Sequence, residues 1–410
     1  MGQVGIQNDS SAGNVGMTAV SSDAPVVGID RIDCYTPNHY LDLVDLAHAR
    51  GEDPNKYLIG IGQSKMAVAA LDQDIVAMAA NAAEPMLNAE DKANIGLLIV
   101  ATESGIDQSK ASALFVENLL GLDEHLRAIE IKEACYGATA GVQLACDYVR
   151  SHPGRKALVI ASDIARYGLR TAGEVTQGAG SVAMLISRDP SILVIEPESL
   201  YLSRSTGDFW RPNYSTEAFA RGKFSEQVYV GMFDELWDEA QGKGMARPED
   251  LQALLFHIPF SKMGRKGLRS LESRIDGPDY ERLTQRFESS IVYGKQVGNI
   301  YTGSIYLALL SLLENDDTLR EGDRIGLFSY GSGSVGELYF GRLQPGYRDR
   351  LDPRRHQSAL DARQQLTMEQ YESMFEGQLA TDGSTQTLTQ TDPAAPHYLA
   401  GIKEHERQYR

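Results

Sequence analysis

Cys135 is the side chain best placed for covalent chemistry. It stands in Ile131-Lys-Glu-Ala-Cys-Tyr-Gly-Ala-Thr-Ala-Gly. Upstream, 126–131 reads as a short buried strand; downstream, over 139–149, Ala140, Leu144, Ala145, Tyr148 and Val149 fall at helical spacing. A thiol where a strand turns into a helix meets free backbone N–H groups and positive potential. Both favour the thiolate, and the N–H groups can hold the oxyanion formed when a thioester carbonyl is attacked. The competing reading is a cysteine that only packs among its small neighbours Ala134, Gly137, Ala138 and Gly141. Glu103 follows the continuous apolar run Ile95–Ala101, the pattern of a strand covered on both faces, and ligand sites gather at the carboxyl ends of such strands. His257 ends a second run, Leu251-Gln-Ala-Leu-Leu-Phe. Asn299 sits in Gly298-Asn-Ile-Tyr-Thr-Gly-Ser ahead of the apolar helix 305–313. Each has a structural alternative: a surface-loop glutamate, a core histidine satisfied by its neighbours, a helix cap.

These four residues spread over 196 positions, and a repeat in the chain explains how they would meet. Gly178-Ala-Gly-Ser-Val-x-x-Leu matches Gly331-Ser-Gly-Ser-Val-x-x-Leu, 153 residues further on. Glu103 and His257 end buried strands 154 residues apart, and Cys135 and Asn299 precede helices 164 apart. Two copies of one β/α unit predict an α/β chain of two duplicated halves, layered α/β/α/β/α, with the site at their junction. The division that follows is a leader, 1–25; an N-terminal half, 26–190, with Glu103 and Cys135; a C-terminal half, 191–350, with His257 and Asn299; and a C-terminal surface extension, 351–410. Residues 1–24 are rich in Gly, Ser, Asn and Ala without periodicity, which reads as disorder or an added extension. Further helices are expected over 41–50, 74–83, 109–120, 226–240 and 280–292, and further strands over 156–162 and 323–330. The stretches 208–212 and 222–225 read as parts of a long polar connection. Ile59-Gly-Ile-Gly lacks the rest of a dinucleotide fingerprint and reads as a loop near a ligand or another backbone.

Composition excludes several classes. A net charge of −17 argues against nucleic acid as a general partner. No apolar run has the length of a membrane span, and no secretory signal is evident. Three cysteines without C-x-x-C spacing or a histidine cluster argue against disulfides and against a metal, and fit a reducing cytoplasm. Cys34 and Cys146 read as packing.

The motifs Ala101-Thr-Glu-Ser, Glu133-Ala-Cys-Tyr-Gly, Thr176-Gln-Gly-Ala-Gly, Phe256-His-Ile-Pro-Phe, Gly298-Asn-Ile-Tyr-Thr-Gly-Ser and Tyr330-Gly-Ser-Gly-Ser resemble those of the 3-hydroxy-3-methylglutaryl-CoA synthases, in their bacterial wording. The resemblance runs from about residue 26 to the end of the chain. Val175 stands where that family often has proline. The family belongs to the thiolase superfamily, so the resemblance implies a thiolase-like five-layered fold and a homodimer. It implies a mevalonate-pathway reaction of acetyl-CoA with acetoacetyl-CoA and no cofactor. Cys135 would carry the acetyl group as a thioester. Glu103 would take the methyl proton and return it to the new alkoxide, a task that suits a carboxylate in a partly dry pocket. His257, with Asn299 beside it, would polarise the carbonyls of acetoacetyl-CoA. The N–H groups of Cys135 and Ser332 would form the oxyanion hole. Lys56, Lys262 and Lys266 match positions that contact coenzyme A, with Arg265 as an adjacent cation. Thr176 and Ser225 match positions that touch the acyl or pantetheine part. The alternatives are a polyketide β-branching homologue acting on acyl-carrier-protein substrates, and a non-catalytic scaffold of the same fold. A ketoacyl synthase would lack Glu103.

Overall fold

The computed structural model describes residues 25–215 and 217–410. Apart from Pro25, the expected leader lies outside them. Ten strands form the main sheet: β1 Val27–Tyr35, β2 Ile95–Ala101, β3 Arg127–Ile131, β4 Lys156–Ala165, β5 Gly178–Arg188, β6 Leu193–Ile195, β7 Leu200–Ser203, β8 Leu251–Phe256, β9 Arg324–Gly331 and β10 Val335–Leu343. Their order is β8-β9-β10-β6-β1-β5-β4-β2-β3, with β7 also on β10. One pattern of strand senses occurs twice. β2 is parallel to β4, β4 antiparallel to β5, and β5 antiparallel to β1. Likewise β8 is parallel to β9, β9 antiparallel to β10, and β10 antiparallel to β6 and β7. The short β6 joins the halves by pairing with both β1 and β10.

Side-chain alternation along these strands sorts residues into layers. Leu97, Ile99 and Ala101 of β2, and Ala253 and Leu255 of β8, enter one shared core. Their neighbours Leu98 and Val100 face a second core, and Leu254 and Phe256 a third. The helices fill the layers accordingly. α1 Ile75–Ala83 and α2 Ser112–Leu120 cover the outer face of the first half. α3 Gly137–Ser151 and α7 Ser304–Asn315 occupy the middle. α4 Gly222–Gly242, α5 Ser261–Arg269 and α6 Gly277–Ser290 cover the outer face of the second half. The result is the five-layered α/β arrangement expected from the repeat. Because α7 has protein on every side, every residue from Ser304 to Leu313 is buried. α4 keeps a polar face and buries only Tyr229, Met232, Phe233, Leu236, Trp237 and Ala240.

The structure differs from the expected elements at positions that matter for the site. β4 runs three residues past 162 and so carries Asp163. The helix expected over 226–240 begins at Gly222, which moves Ser225 out of a polar connection and onto the first turn of α4. Residues 331–334 are a tight turn: Gly331 closes β9 and pairs with Val335, whereas the matching Gly178 and Ser181 already lie inside β5. Ile59-Gly-Ile belongs to a π-helical turn, Lys56–Ile61, rather than an open loop. Residues 351–410 are not merely a surface extension, since Tyr371, Leu399 and Leu360 are buried and His356 bonds to Asp33 and Glu314.

Leu309 of α7 is fully buried between the two halves. Leu309→Ala is expected to destabilise the protein by ~2–5 kcal/mol. Urea unfolding should show a lower midpoint at unchanged slope.

Candidate active site

Cys135 lies in the turn between β3 and α3, two residues before the helix begins. The preceding Ala134 holds φ at +41°, a conformation that L-residues avoid and that stores strain in the turn presenting the thiol. The thiol donates to Glu103 Oε1 at 3.0 Å. Burial, with the negative charge of Glu103 and the hydrogen bond between them, pushes the Cys135 thiol well up. Burial and the facing carboxylate thus outweigh the helix start, which the sequence reading expects to favour the thiolate. Burial and the charge of Asp163 push Glu103 up to about 8, against weaker opposing effects from the Cys135 hydrogen bond and from Arg211. The resting arrangement is therefore a thiol on a carboxylate that changes protonation near neutral pH, the range in which general bases work best.

Asp163, fully buried near the end of β4, sets the position of Glu103. Its Oδ1 accepts from Glu103 N at 2.7 Å, Thr102 Oγ1 at 2.9 Å, and Ser104 N and Oγ at 3.1 and 2.9 Å. Its Oδ2 accepts from Thr302 Oγ1 at 2.6 Å and Thr302 N at 3.2 Å. One carboxylate thus ties the Glu103 turn of the first half to the segment leading into α7 of the second. Arg211 donates to the carbonyl oxygen of Glu103 from the other side.

Asn299 reaches the same cluster. Gly178 and Gly298 form an isolated antiparallel bridge. A Cβ on Gly178 would stand 2.6 Å from Val297 O, and one on Gly298, at φ +87°, would stand 2.1 Å from Gln177 O. Only glycine lets these backbones cross so closely. Asn299 Oδ1 then accepts from Tyr301 N at 2.9 Å and Ser304 Oγ at 3.0 Å, while Nδ2 donates to Tyr167 Oη at 3.0 Å. So Asn299 stabilises the start of the helix and also extends toward the site. Tyr167, Phe209 and Tyr301 pack edge to face around it, with centroids 5.9–6.3 Å apart.

The remaining candidates are spread around this centre. His257 follows β8, 3% exposed; its backbone N–H donates to Phe328 O at 2.8 Å and its carbonyl accepts from Tyr229 Oη at 2.9 Å. Burial pushes its imidazole down to about 3, so it is neutral, and Nδ1 has no partner. Among the described residues no hydrogen bond joins its ring to Cys135, Glu103 or Asn299. Gly331, the residue before Ser332, packs on the turn that carries Cys135: a Cβ there would stand 2.6 Å from Glu133 O and 2.7 Å from Tyr136 N. Behind that turn the buried Asp208 accepts from Tyr330 Oη at 2.7 Å, Gly333 N at 2.9 Å and Ser225 Oγ at 3.2 Å. Burial would raise Asp208, but hydrogen bonds hold it below the usual carboxylate range. The Ser225 hydroxyl is thus engaged within the protein. Thr176 Oγ1 donates to Gly173 O at 2.9 Å, on the turn preceding β5.

Lys56 opens the turn Lys56–Ile61, and Lys262, Arg265 and Lys266 lie on α5; the two elements meet where Gly62 packs against Ser261. Lys56 pairs with Glu52 at 2.7 Å, Arg265 with Glu288 at 2.6 Å, and Lys266 with Glu226. Such exposed pairs open readily for a more strongly charged ligand. Lys262 makes no ion pair among the described residues. Among the described residues no group of three side chains that could hold a metal is found, and no helix is long and apolar enough to cross a membrane.

Models of the hydroxymethylglutaryl-coenzyme A synthase N-terminal and C-terminal regions match residues 24–191 and 269–409. A hydroxymethylglutaryl-CoA synthase of Enterococcus faecalis is 47% identical over 94% of this chain and 99% of its own. The chain belongs to this family. A crystal structure of a synthase of the family complexed with CoA superposes with a TM-score of 0.91 at 43% identity, over 94% of this chain and 99% of that one. A polyketide-biosynthesis 3-hydroxy-3-methylglutaryl-ACP synthase of Bacillus subtilis is more distant, 32% identical over 93% of this chain and 98% of its own.

Sequence reasoning missed Asp163, Tyr167, Asp208 and Arg211. Asp163 hid because the strand end was placed three residues too early, at 162 instead of 165. Asp208 and Arg211 stood in Asp208-Phe-Trp-Arg-Pro, a noticed segment without periodicity to place it.

The Cys135–Glu103 contact makes a measurable claim. Alkylation of Cys135 by iodoacetamide, followed by peptide mass spectrometry against pH, is expected to reach half its limit above the ordinary thiol value near 9. Glu103→Gln removes the facing negative charge, so the midpoint moves down. An unchanged midpoint means the two groups do not interact.

Proposed function

We propose that the chain condenses acetyl-CoA with acetoacetyl-CoA and water to give 3-hydroxy-3-methylglutaryl-CoA and CoA, a step of the mevalonate pathway to isoprenoids. The observation that carries the reading is the 3.0 Å contact between Cys135 and Glu103 at the junction of the two halves. Cys135 Sγ gives up its proton and attacks the acetyl carbonyl; the backbone N–H groups at Cys135 and Ser332 hold the oxyanion, and coenzyme A leaves as its thiol. Ionised Glu103 removes a proton from the bound acetyl methyl. The carbanion attacks the ketone of acetoacetyl-CoA, and Glu103 returns the proton to the tertiary alkoxide. Water then cleaves the enzyme thioester and restores the thiol.

His257 is neutral at the working pH, so it donates a hydrogen bond to the acetoacetyl oxygen without adding charge, with Asn299 near it. Lys262, with Lys56, Lys266 and Arg265, receives the coenzyme A phosphates, while Thr176 and Ser225 line the pantetheine and acyl path. The scheme draws on no cofactor beyond the thioesters. A homodimer is supported by β3, which pairs on one side only and leaves Ile129 41% exposed at the sheet edge. Free cysteines suit a cytoplasmic setting. The greater identity to the CoA-dependent relative, 47% against 32%, favours CoA thioesters over carrier-protein substrates.

The test separates acylation from condensation. Brief exposure to acetyl-CoA should acetylate the parent at Cys135 and leave Cys135→Ser unmodified, as read by mass spectrometry. Glu103→Ala should still acquire the acetyl group, while condensation with acetoacetyl-CoA falls by ~100-fold or more. Acetylation at Cys34 or Cys146, or condensation by Glu103→Ala at the parent rate, contradicts the assignment.

A further inference from the structure

A cavity of about 630 Å³ opens where residues 351–363 and 392–396 close over the junction of the halves. That volume suits a small molecule. Its walls include Val297, Ile300, Leu307 and Leu360. Val297 and Ile300 belong to the same segment as Asn299 and Tyr301, so the cavity adjoins that segment. Arg363 also lines it and is only 6% exposed. Its Nε donates to Leu360 O and its Nη1 to Gln296 O, both at 3.1 Å, while the buried Nη2 has no partner. Burial pulls the guanidinium down to about 10, the sign of a cation without its counter-ion.

The other charged groups of the wall are satisfied within the protein. His356 bonds to Asp33 and Glu314, and Arg355 to Asp33. Asp392 accepts from Tyr35 Oη at 2.7 Å and Ala394 N at 3.0 Å. What remains is a largely apolar wall whose residues carry two unpartnered buried polar atoms, the acceptor Asn38 Oδ1 and the donor Arg363 Nη2, with the Arg363 guanidinium 5.2 Å from the centre of the Tyr40 ring. We propose that this cavity is a second binding site for a monocarboxylate with an apolar body, of the medium-chain fatty-acid type. Its carboxylate meets Arg363 and its chain lies against Val297, Ile300 and Leu307. A polyanion would leave most of its charge against apolar wall, and an uncharged lipid would leave Nη2 unanswered.

Sodium octanoate is the probe, titrated calorimetrically into the full chain. The expected result is one site per chain, with octan-1-ol and Arg363→Met each weakening binding by ~10-fold or more, as for loss of a buried charge-assisted hydrogen bond. Ala359, exposed at the cavity mouth, offers a variant that leaves the core intact: Ala359→Trp should block uptake even if Arg363→Met fails to fold. Because Cys34 lines the cavity, octanoate should also slow its alkylation in a Cys135→Ser background. Absence of octanoate binding overturns the proposal, as does binding unchanged in Ala359→Trp or displaced by added CoA, which would put the ligand in the active site instead.

Discussion

The Asp163 carboxylate is the constraint on which the site depends. It is fully buried, and its six accepted hydrogen bonds come from two parts of the chain that are distant in sequence. An unpaired buried carboxylate would be very costly, so the donors around it must stay where they are. The Thr102-Glu103-Ser104 turn and Thr302 are therefore held to one point. That fixes Glu103 facing Cys135 and fixes the start of the segment from which Asn299 extends. Asp163 also repels negative charge on Glu103, so the group that positions the base also keeps its proton affinity high.

Around this brace the duplicated architecture supplies a rigid frame. Each half sends one strand end and one helix start to the junction, and α3 and α7 are confined between the halves. A Cβ on Gly137 would stand 3.5 Å from Thr302 Cγ2 at the point where the two helix starts meet. The strain at Ala134 and the close crossing of Gly178 with Gly298 persist because packing on both sides determines them. The protein as a whole is strongly acidic, so the cations near α5 act locally against an unfavourable field. Arg265 and Lys266 are paired with carboxylates, and Lys262 has no ion pair among the described residues.

Much of this was legible in the residues. Apolar runs such as Ile95–Ala101 placed strand ends, and repeated Gly-x-Gly-Ser-Val segments announced the two halves. Glu103 and Cys135, both in the first half, could be singled out because one follows a buried strand and the other precedes a helix, with His257 and Asn299 at the matching points of the second half. What stayed hidden was non-local. The protonation state of Cys135 is set by Glu103, 32 residues earlier, and by burial that local sequence does not encode. Asp163 looks like the polar end of a strand until six donors are seen around it. Ser225 was misplaced because α4 begins with Gly-Lys-Phe-Ser, without a side-chain cap to mark the start. The polar composition after residue 350 concealed the buried anchors Tyr371 and His356, which bond to groups far upstream.

The account is tested most directly by the pH dependence of condensation in the parent and in Asp163→Asn, with melting curves to establish that both are folded. Condensation needs ionised Glu103, so the parent rate should rise with pH through a midpoint near 8. Burial, the larger cause of the raised Glu103 value, stays in place; asparagine removes the charge that Asp163 adds to it, and the midpoint of the variant should move to lower pH. A folded Asp163→Asn variant with the midpoint of the parent would contradict the claim that this buried carboxylate tunes the base.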